Sequence, residues 1–179
     1  MIRTKSDLKM YLKEDAKNYP PIKLKDRILK TPKYMIHRYL IFLRYSEYYT
    51  NIPYGFFNRI MILHYRYKMR MLSYKLGFQI AENVFGPGLN IYAYGTIITN
   101  PQAKVGAHCT IYPGVTLGGK VENGYPTIGN NCFIGLGSKV LGGITIGNNV
   151  YIAPNAVVVK DVEDNCIVGG IPAKVIKKK

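Results

Sequence analysis

The chain has 179 residues, 47% of them hydrophobic, and can therefore bury the core of one domain or of a domain with an appendage. Its formal net charge is +15, and most of this charge lies in the first 80 residues, where Lys and Arg greatly outnumber Asp and Glu. Neither a cleavable signal sequence nor an apolar run of about 18 residues is recognisable, so we expect a soluble or at most peripheral protein.

The first two predicted helices are bounded by capping residues and prolines. Ser6 is a candidate cap for a helix that runs to about Lys17, and Pro20-Pro21 prevents its continuation. Thr31-Pro32 is a cap followed by proline at the first helical position, and it opens a helix that stops at residues 51–53.

A third helix is predicted from Phe56 to Leu76, with Gly77 as its terminator. It carries an apolar stripe and, beside it, a basic one that contains Arg59, Arg66 and Arg70. The main interpretation is that the apolar stripe packs the helix against the rest of the chain, and the alternative is contact with a membrane surface or an anionic polymer. The apolar stripe consists of Ile60, Leu63, Tyr67, Met71 and Tyr74.

Beyond the helices, an aliphatic residue returns at every sixth position between Val105 and Val158, with one interruption. A hexapeptide repeat predicts a parallel β-helix in which three short strands make one coil of about 18 residues. A second column of mostly small or β-branched residues lies two positions earlier and suits a narrow interior. The first column is Val105, Ile111, Leu117, Ile128, Ile134, Val140, Ile146, Ile152 and Val158. The second is Ala103, Cys109, Val115, Cys132, Ser138, Ile144, Val150 and Ala156.

Two residue types mark the interior and the corners of this β-helix. Cys109 and Cys132 should stack on adjacent coils as reduced thiols, since nothing in the sequence indicates secretion. The pairs Asn130-Asn131 and Asn148-Asn149 follow inward aliphatic residues, where sharp corners need left-handed backbone conformations.

Metal and nucleic-acid partners are not predicted. The three cysteines have no metal-ligand spacing. The basic residues are spread along three helices, and no zinc-finger or RNA-binding signature is present.

Several segments carry a family resemblance, among them residues 86–91, 94–101, 115–119 and 169–174. From about Gly77 to the end, the chain resembles the hexapeptide-repeat acyltransferases, in the serine acetyltransferase-like branch, whose members often modify polysaccharide sugars. The resemblance implies a mainly β fold, a left-handed parallel β-helix over residues 81–179, preceded by a basic α-helical region over residues 1–80. It also implies a homotrimer that binds acetyl-CoA in the groove between neighbouring β-helical prisms.

In this family a histidine takes the proton from the acceptor hydroxyl, which attacks the thioester while backbone amides stabilise the oxyanion. Counting back from residues 115–119, the position of that histidine is Ala93, which cannot accept a proton. Tyr92, Gly124 and Tyr125 stand where serine acetyltransferases carry their other polar groups, which disfavours serine as the acceptor. Two explanations for Ala93 stay open, namely an engineered substitution in a working enzyme and a natural loss or relocation of the base.

The resemblance also assigns candidate site residues. His108 should face outward near a coil corner and is a weak candidate for a relocated base, while His37 and His64 are expected to be structural. Tyr125, in the long loop 118–127, should line the acceptor pocket with Tyr92 and Tyr94. The coenzyme contacts, mostly through the backbone, match Gly119, Gly135, Leu136, Ala153 and Pro154, with Lys174 available for a phosphate.

The sequence therefore predicts an acetyl-CoA-dependent O-acetyltransferase that acts on a sugar hydroxyl of a surface polysaccharide or its precursor. One alternative is a catalytically silent β-helix that binds the coenzyme or a partner, and a second is a serine or amino-sugar acetyltransferase. We expect a cytoplasmic protein, and peripheral contact of its N-terminal helices with the inner face of the membrane is the alternative to their packing within the chain.

Overall fold

The computed structural model describes residues 1–53, 55–119 and 121–178 and contains an α-helical region followed by a parallel β-helix, as predicted. The helices are α1 (Lys5–Ala16), α2 (Leu24–Ile28), α3 (Pro32–Asn51) and α4 (Phe56–Leu76). Among the described residues, no helix has the length and hydropathy needed to cross a membrane.

The strands form three faces of a prism, and all neighbours are parallel except β13 and β14. Face A contains β1 (Phe78–Gln79), β3 (Ile97–Thr99), β6 (Thr116–Gly118), β9 (Lys139–Leu141) and β12 (Val157–Val158). Face B contains β4 (Lys104–Val105), β7 (Thr127–Ile128) and β10 (Thr145–Ile146). Face C contains β2 (Asn90–Ile91), β5 (Thr110–Ile111), β8 (Phe133–Ile134), β11 (Tyr151–Ile152), β13 (Cys166–Gly170) and β14 (Ala173–Lys178).

The chain visits face C, then A, then B on each coil, and the faces meet at three edges. Edge C–A holds residues 92–96, 112–115, 135–138 and 153–156, and edge A–B holds residues 100–103, 119–126 and 142–144. Edge B–C holds residues 86–89, 106–109, 129–132, 147–150 and 163–165. Residues on one edge therefore stack above one another on successive coils.

Every residue of the two predicted inward columns is buried, which confirms the reading of the repeat. The register aligns Ile91, Ile111, Ile134 and Ile152 on face C, so equivalent side chains stack along the interior. Cys109 and Cys132 lie in one inward column and are free thiols, as predicted. Burial raises the pKa of the Cys109 thiol, which is therefore protonated and serves as a core residue.

The corners of edge B–C adopt the left-handed conformation expected of the Asn pairs. Asn131, Asn149 and Asn165 have φ of 55°, 56° and 59°, and their side chains form a ladder with bonds of 3.2 and 2.9 Å. His108 occupies the same position one coil below Asn131, with φ of 56°. It is exposed at a coil corner, as predicted.

The helical region departs from the prediction at two points. Thr4, not Ser6, caps α1, because the Thr4 hydroxyl accepts a hydrogen bond from Asp7 N at 3.0 Å while the Asp7 carboxylate accepts one from Thr4 N at 2.9 Å. A short helix, α2, was not predicted, whereas α3 and α4 agree with the sequence to within one residue. Gly77 ends α4 in the left-handed conformation, as expected.

The prediction that the apolar stripe of α4 packs within the chain is wrong. Ile60, Leu63, Tyr67, Met71 and Tyr74 are all exposed. The opposite side of α4, with Ile62, Leu72 and Leu76, packs against the chain instead. When a helix carries apolar residues on two sides, its sequence does not show which side packs against the core.

A buried ionic network joins the helices to the base of the β-helix. Arg44 of α3 donates to Asp15 of α1 at 2.8 Å and to Glu47 at 2.9 Å, and it also donates to the carbonyl oxygens of Phe85 and Gly86 at 3.0 and 2.8 Å. Asp15 also accepts from two backbone amides of the first coil, at 2.8 and 2.9 Å. The helices and the β-helix also share one hydrophobic cluster, and a domain boundary at residue 80 stays a prediction.

Candidate functional site

Ala93 lies on edge C–A and lines a pocket at the seam between the helices and the first coils. The pocket has a volume of about 380 Å³. Tyr92 and Tyr94, 63% and 60% exposed, border it on the β-helix side, and Asn18, Tyr19 and Lys33 border it on the helical side. The described residues that line it include no His, Asp or Glu. The pocket therefore has the position expected for the reaction but lacks an ordinary general base.

Tyr19 does not supply the missing base. Its hydroxyl donates to Ile91 O at 3.1 Å and accepts from Ile91 N at 3.0 Å, so both of its hydrogen-bonding functions are used by the main chain. Burial also raises the pKa of Tyr19, which keeps the phenol neutral. Tyr19 fixes the seam between α1 and β2 and thereby shapes the pocket.

The three histidines lie away from Ala93. His108 is on edge B–C, and a span of about five extended residues across face C, roughly 16 Å, separates its edge from edge C–A. His37 packs against Tyr19 with ring centroids 5.6 Å apart, and burial lowers the pKa of its imidazole. His64 is exposed on α4 and packs edge-on against Tyr65 at 5.2 Å. None of the three is among the residues that line the pocket.

Tyr125 and Ala93 are on different edges of the same prism. The loop that replaces an ordinary corner emerges at edge A–B and contains a short 3₁₀ turn, Val121–Asn123. The end of this loop brings the half-buried Tyr125 ring beside Gly119. The carbonyl oxygen of Gly124 occupies the space that a Cβ on Gly119 would need. The structure thus brings the predicted residues Gly119 and Tyr125 together, but within one chain it does not bring Tyr125 to the pocket around Ala93.

Four of the predicted coenzyme residues stack on edge C–A, two and three coils above Ala93. Gly135 and Leu136 follow β8, and Ala153 and Pro154 take the same positions on the next coil. Gly135 N donates to Ile152 O at 2.9 Å, and Leu136 O accepts from Asn155 N at 2.7 Å. A Cβ on Gly135 would meet the backbone of residues 152–154, so this corner has room only for glycine.

Lys174 continues this column at its upper end. It pairs with Gly169 across the antiparallel strands β13 and β14, and Gly169 follows Val168, the partner of Ile152. Its side chain is exposed. Edge C–A therefore presents a strip of mostly small residues that begins at Ala93, continues through Pro113 and the four predicted coenzyme residues, and ends at Lys174.

An aromatic stack runs beside this strip along face C. Tyr92 stacks on Tyr112 with centroids 4.3 Å apart, and Phe133 stacks on Tyr151 at 4.4 Å. Tyr112 and Phe133 connect the two pairs at 5.1 Å. Because these residues point outward, the stack borders the strip without contributing to the core.

Sequence reasoning missed the helical side of the pocket. Asn18, Lys33 and Ile36 meet Ala93 only because α1 and α3 dock on the first coils, and no local motif marks them. The sequence also did not predict the role of Asp15, whose carboxylate accepts hydrogen bonds from two backbone amides of the first coil. Within the described residues, no group of three or more His, Cys, Asp or Glu is placed to hold a metal ion.

Comparisons with known proteins show that the repeat region is similar to bacterial transferases. The family described as "Bacterial transferase hexapeptide (six repeats)" matches residues 125–160. Serine acetyltransferase of Synechococcus elongatus is 45% identical over 94 residues, which are 51% of this chain and 38% of that protein. Serine acetyltransferase of Helicobacter pylori is 40% identical over 96 residues, which are 52% of this chain and 56% of that protein. The match thus covers less than two thirds of these relatives.

Solved structures extend the similarity to the helical region. A serine acetyltransferase of Neisseria gonorrhoeae superposes with a TM-score of 0.66 at 26% identity and covers 97% of this chain and 64% of that one. A serine acetyltransferase of Brucella abortus, solved with coenzyme A, has the same fold, with a TM-score of 0.65 at 24% identity, and covers 97% of this chain and 68% of that one. The resemblance of this chain to the hexapeptide-repeat transferases, in the serine acetyltransferase-like branch, is therefore confirmed.

Proposed function

We propose that this chain is an acetyl-CoA-dependent O-acetyltransferase subunit whose general-base position is occupied by Ala93, and that its acceptor is a sugar hydroxyl. The observation that carries the proposal is the strip on edge C–A, where Gly135, Leu136, Ala153 and Pro154 stack above Ala93. Acetyl-CoA as co-substrate makes a cytoplasmic location part of the same proposal. No metal is required.

The strip is suited to a long, flexible thioester. Gly135, Ala153 and Pro154 are small, so a pantetheine arm can lie close to the main chain there, and the exposed Lys174 at the upper end can pair with a coenzyme phosphate. The thioester would then lie toward the lower coils, near position 93. A protein of the same fold, from Brucella abortus, was solved with coenzyme A, in keeping with this arrangement.

The proposal includes a trimer in which the acceptor site lies between two subunits. Ala93 is on edge C–A and Tyr125 on edge A–B, so one prism cannot place both at one site. If edge A–B of one subunit faces edge C–A of the next, Gly119 and Tyr125 complete the groove that begins at Ala93. Mass measurement by light scattering of the full chain tests this part directly, and a monomer would contradict it.

A sugar acceptor is favoured by the surroundings of Ala93. Tyr92 and Tyr94 present exposed rings at the pocket, and Tyr92 is held by stacking on Tyr112. Planar apolar rings with a polar edge suit a ring-shaped, hydroxylated acceptor. The relatives are named serine acetyltransferases, so serine is the second candidate acceptor. Among the described residues that line the pocket, Lys33 is the cation that could hold its carboxylate.

The decisive experiment restores a base. Ala93→His is compared with Ala93→Gln, which has a polar side chain of related size that does not accept a proton from a hydroxyl. Release of free thiol from acetyl-CoA is measured with a panel of sugars and with serine. A positioned general base contributes about 10²–10⁴-fold, so activity that appears only in Ala93→His supports the proposal. Equal activity in the unmodified chain and in both variants would contradict the assignment of position 93.

The second candidate function is a catalytically silent coenzyme-binding protein, favoured by the absence of His, Asp and Glu from the described lining of the pocket. Calorimetric titration of the full chain with coenzyme A distinguishes the cases. The silent function would be supported if coenzyme A binds, if Ala153→Arg weakens this binding, and if Ala93→His has no activity on any acceptor. Absence of binding would contradict both functions.

A further inference from the structure

Helix α4 presents a continuous apolar stripe to solvent. Its members are Phe56, Ile60, Leu63, Tyr67, Met71 and Tyr74, which are 83%, 48%, 71%, 65%, 41% and 76% exposed. At 100° per residue they fall within an arc of roughly 80°, and the stripe runs about 30 Å along the helix. A contiguous apolar surface of this length on one helix marks a contact with another phase or another molecule.

Basic residues flank the stripe on both sides. Arg59 and Arg70 lie along one border and Lys68 and Lys75 along the other, as the helical period requires. The sequence of α4 contains a fifth basic residue, Arg66, and neither Asp nor Glu. An apolar stripe between two cationic borders is the pattern of a helix that lies in the plane of an anionic membrane surface.

A basic pocket adjoins the stripe between α3 and α4. It has a volume of about 190 Å³, and Lys30, Arg38, Lys68 and Lys75 surround it without an Asp or Glu among its described lining. Phe42 also lines it, and its ring centroid lies 5.1 Å from the Arg38 guanidinium carbon and 6.0 Å from the Lys68 ammonium nitrogen. Tyr67 and Met71 belong to both the pocket and the stripe. Four cations around one cavity repel one another unless an anion neutralises them.

We infer that α4 binds an anionic lipid surface, with its apolar stripe inserted among the acyl chains and the pocket around a lipid phosphate. This inference goes beyond acetyl transfer and does not depend on it. One kind of ligand then accounts for both the stripe and the pocket, because a lipid carries an apolar tail and a phosphate in one molecule. A sugar polymer would leave the stripe exposed.

A second copy of the chain fits these features less well. Pairing of two α4 helices would oppose five basic residues with five, and the whole chain contains 10 Asp and Glu against 25 Lys and Arg. Several of these acids are already engaged with Arg44, Arg66 and Lys178. Like-charge repulsion on this scale disfavours a self-contact through the stripe.

The test is flotation of the full chain with vesicles of phosphatidylcholine alone and with vesicles that also contain phosphatidylglycerol. Leu63→Glu/Tyr67→Glu disrupts the stripe, and Lys68→Glu/Lys75→Glu disrupts the pocket. Matched controls are Val159→Glu, an exposed apolar residue of the β-helix, and Lys9→Glu, an exposed cation of α1. Circular dichroism and light scattering on every variant establish folding and mass.

We expect the unmodified chain to float with the anionic vesicles and not with phosphatidylcholine alone. Each Lys near the surface contributes about fivefold to the partition coefficient, so loss of the two lysines should lower it at least roughly thirtyfold, and the two introduced glutamates should lower it further. The stripe variant should lose binding to a similar degree, and both controls should retain it. No flotation of the unmodified chain, or equal losses in the controls, would overturn the inference. A changed mass of the folded stripe variant would overturn it in favour of a second copy.

Discussion

The β-helix and the helical region bury their side chains by different means. In the β-helix the inward columns are apolar or small, and every member is buried inside its own coil stack. In the helical region the largest fully buried side chain is the charged Arg44, while the apolar stripe of α4 faces solvent. A repeat that closes on itself needs no partner to hide its apolar residues, whereas a helix buries only the side that meets a neighbour. Sequence periodicity therefore predicts burial well in the first case and poorly in the second.

The largest expected effect tests the helical side of this comparison. Arg44→Ala leaves Asp15 and Glu47 buried without their cation, which should destabilise the fold by about 3–5 kcal/mol. The free energy of unfolding in urea measures it. Lys178→Ala removes the exposed pair with Glu163 and is the matched control, for which we expect no measurable change. Similar midpoints for the two variants would mean that the ionic network does not hold the helices to the first coil.

The next effect tests the β-helix through two neighbouring isoleucines of β3. Ile97 is fully buried and Ile98 is 36% exposed, although they are adjacent and of the same type. Ile97→Ala should cost about 2–5 kcal/mol because it leaves a cavity between coils. Ile98→Ala should cost well under half as much in the same urea titration. Equal losses would show that the alternation does not decide burial at the first coil.

A smaller effect concerns the corners of edge B–C. Asn149 is left-handed and bonds to Asn131 and Asn165, so Asn149→Ala should cost about 1–2 kcal/mol through backbone strain and lost ladder bonds. Asn149→Gly keeps the backbone conformation but removes the ladder. Thermal unfolding of the pair separates the two contributions. A glycine variant as unstable as the alanine variant would assign the effect to the ladder alone.

The smallest effect distinguishes two candidate caps of α1. Thr4→Ala should cost about 1 kcal/mol, since the threonine hydroxyl accepts from Asp7 N. Ser6→Ala should be neutral or slightly stabilising, because Ser6 lies inside the helix. The unfolding midpoints of the two variants decide between them, and the reverse order would restore the cap predicted from the sequence.

Much of the β-helical site could be predicted because its positions repeat. Gly135, Leu136, Ala153 and Pro154 occupy the same corner on successive coils, so their alignment above Ala93 follows from counting along the chain. The helical wall of the pocket could not be predicted in this way. Lys33 and Asn18 reach Ala93 only through the docking of α1 and α3, which depends on the Asp15–Arg44–Glu47 network.

The sequence by itself determined the architecture and the position of the strip, because a six-residue period permits one stacking of coils and repeats its corners in register. The family resemblance in the sequence also led to the prediction that Ala93 stands at the position of the family's base. The tertiary structure alone decided that Ala93 opens into a pocket walled by helices, that Tyr125 stands on another edge, and that the apolar side of α4 faces outward. These features depend on contacts between segments far apart in the chain, and such contacts produce no repeating pattern in the sequence.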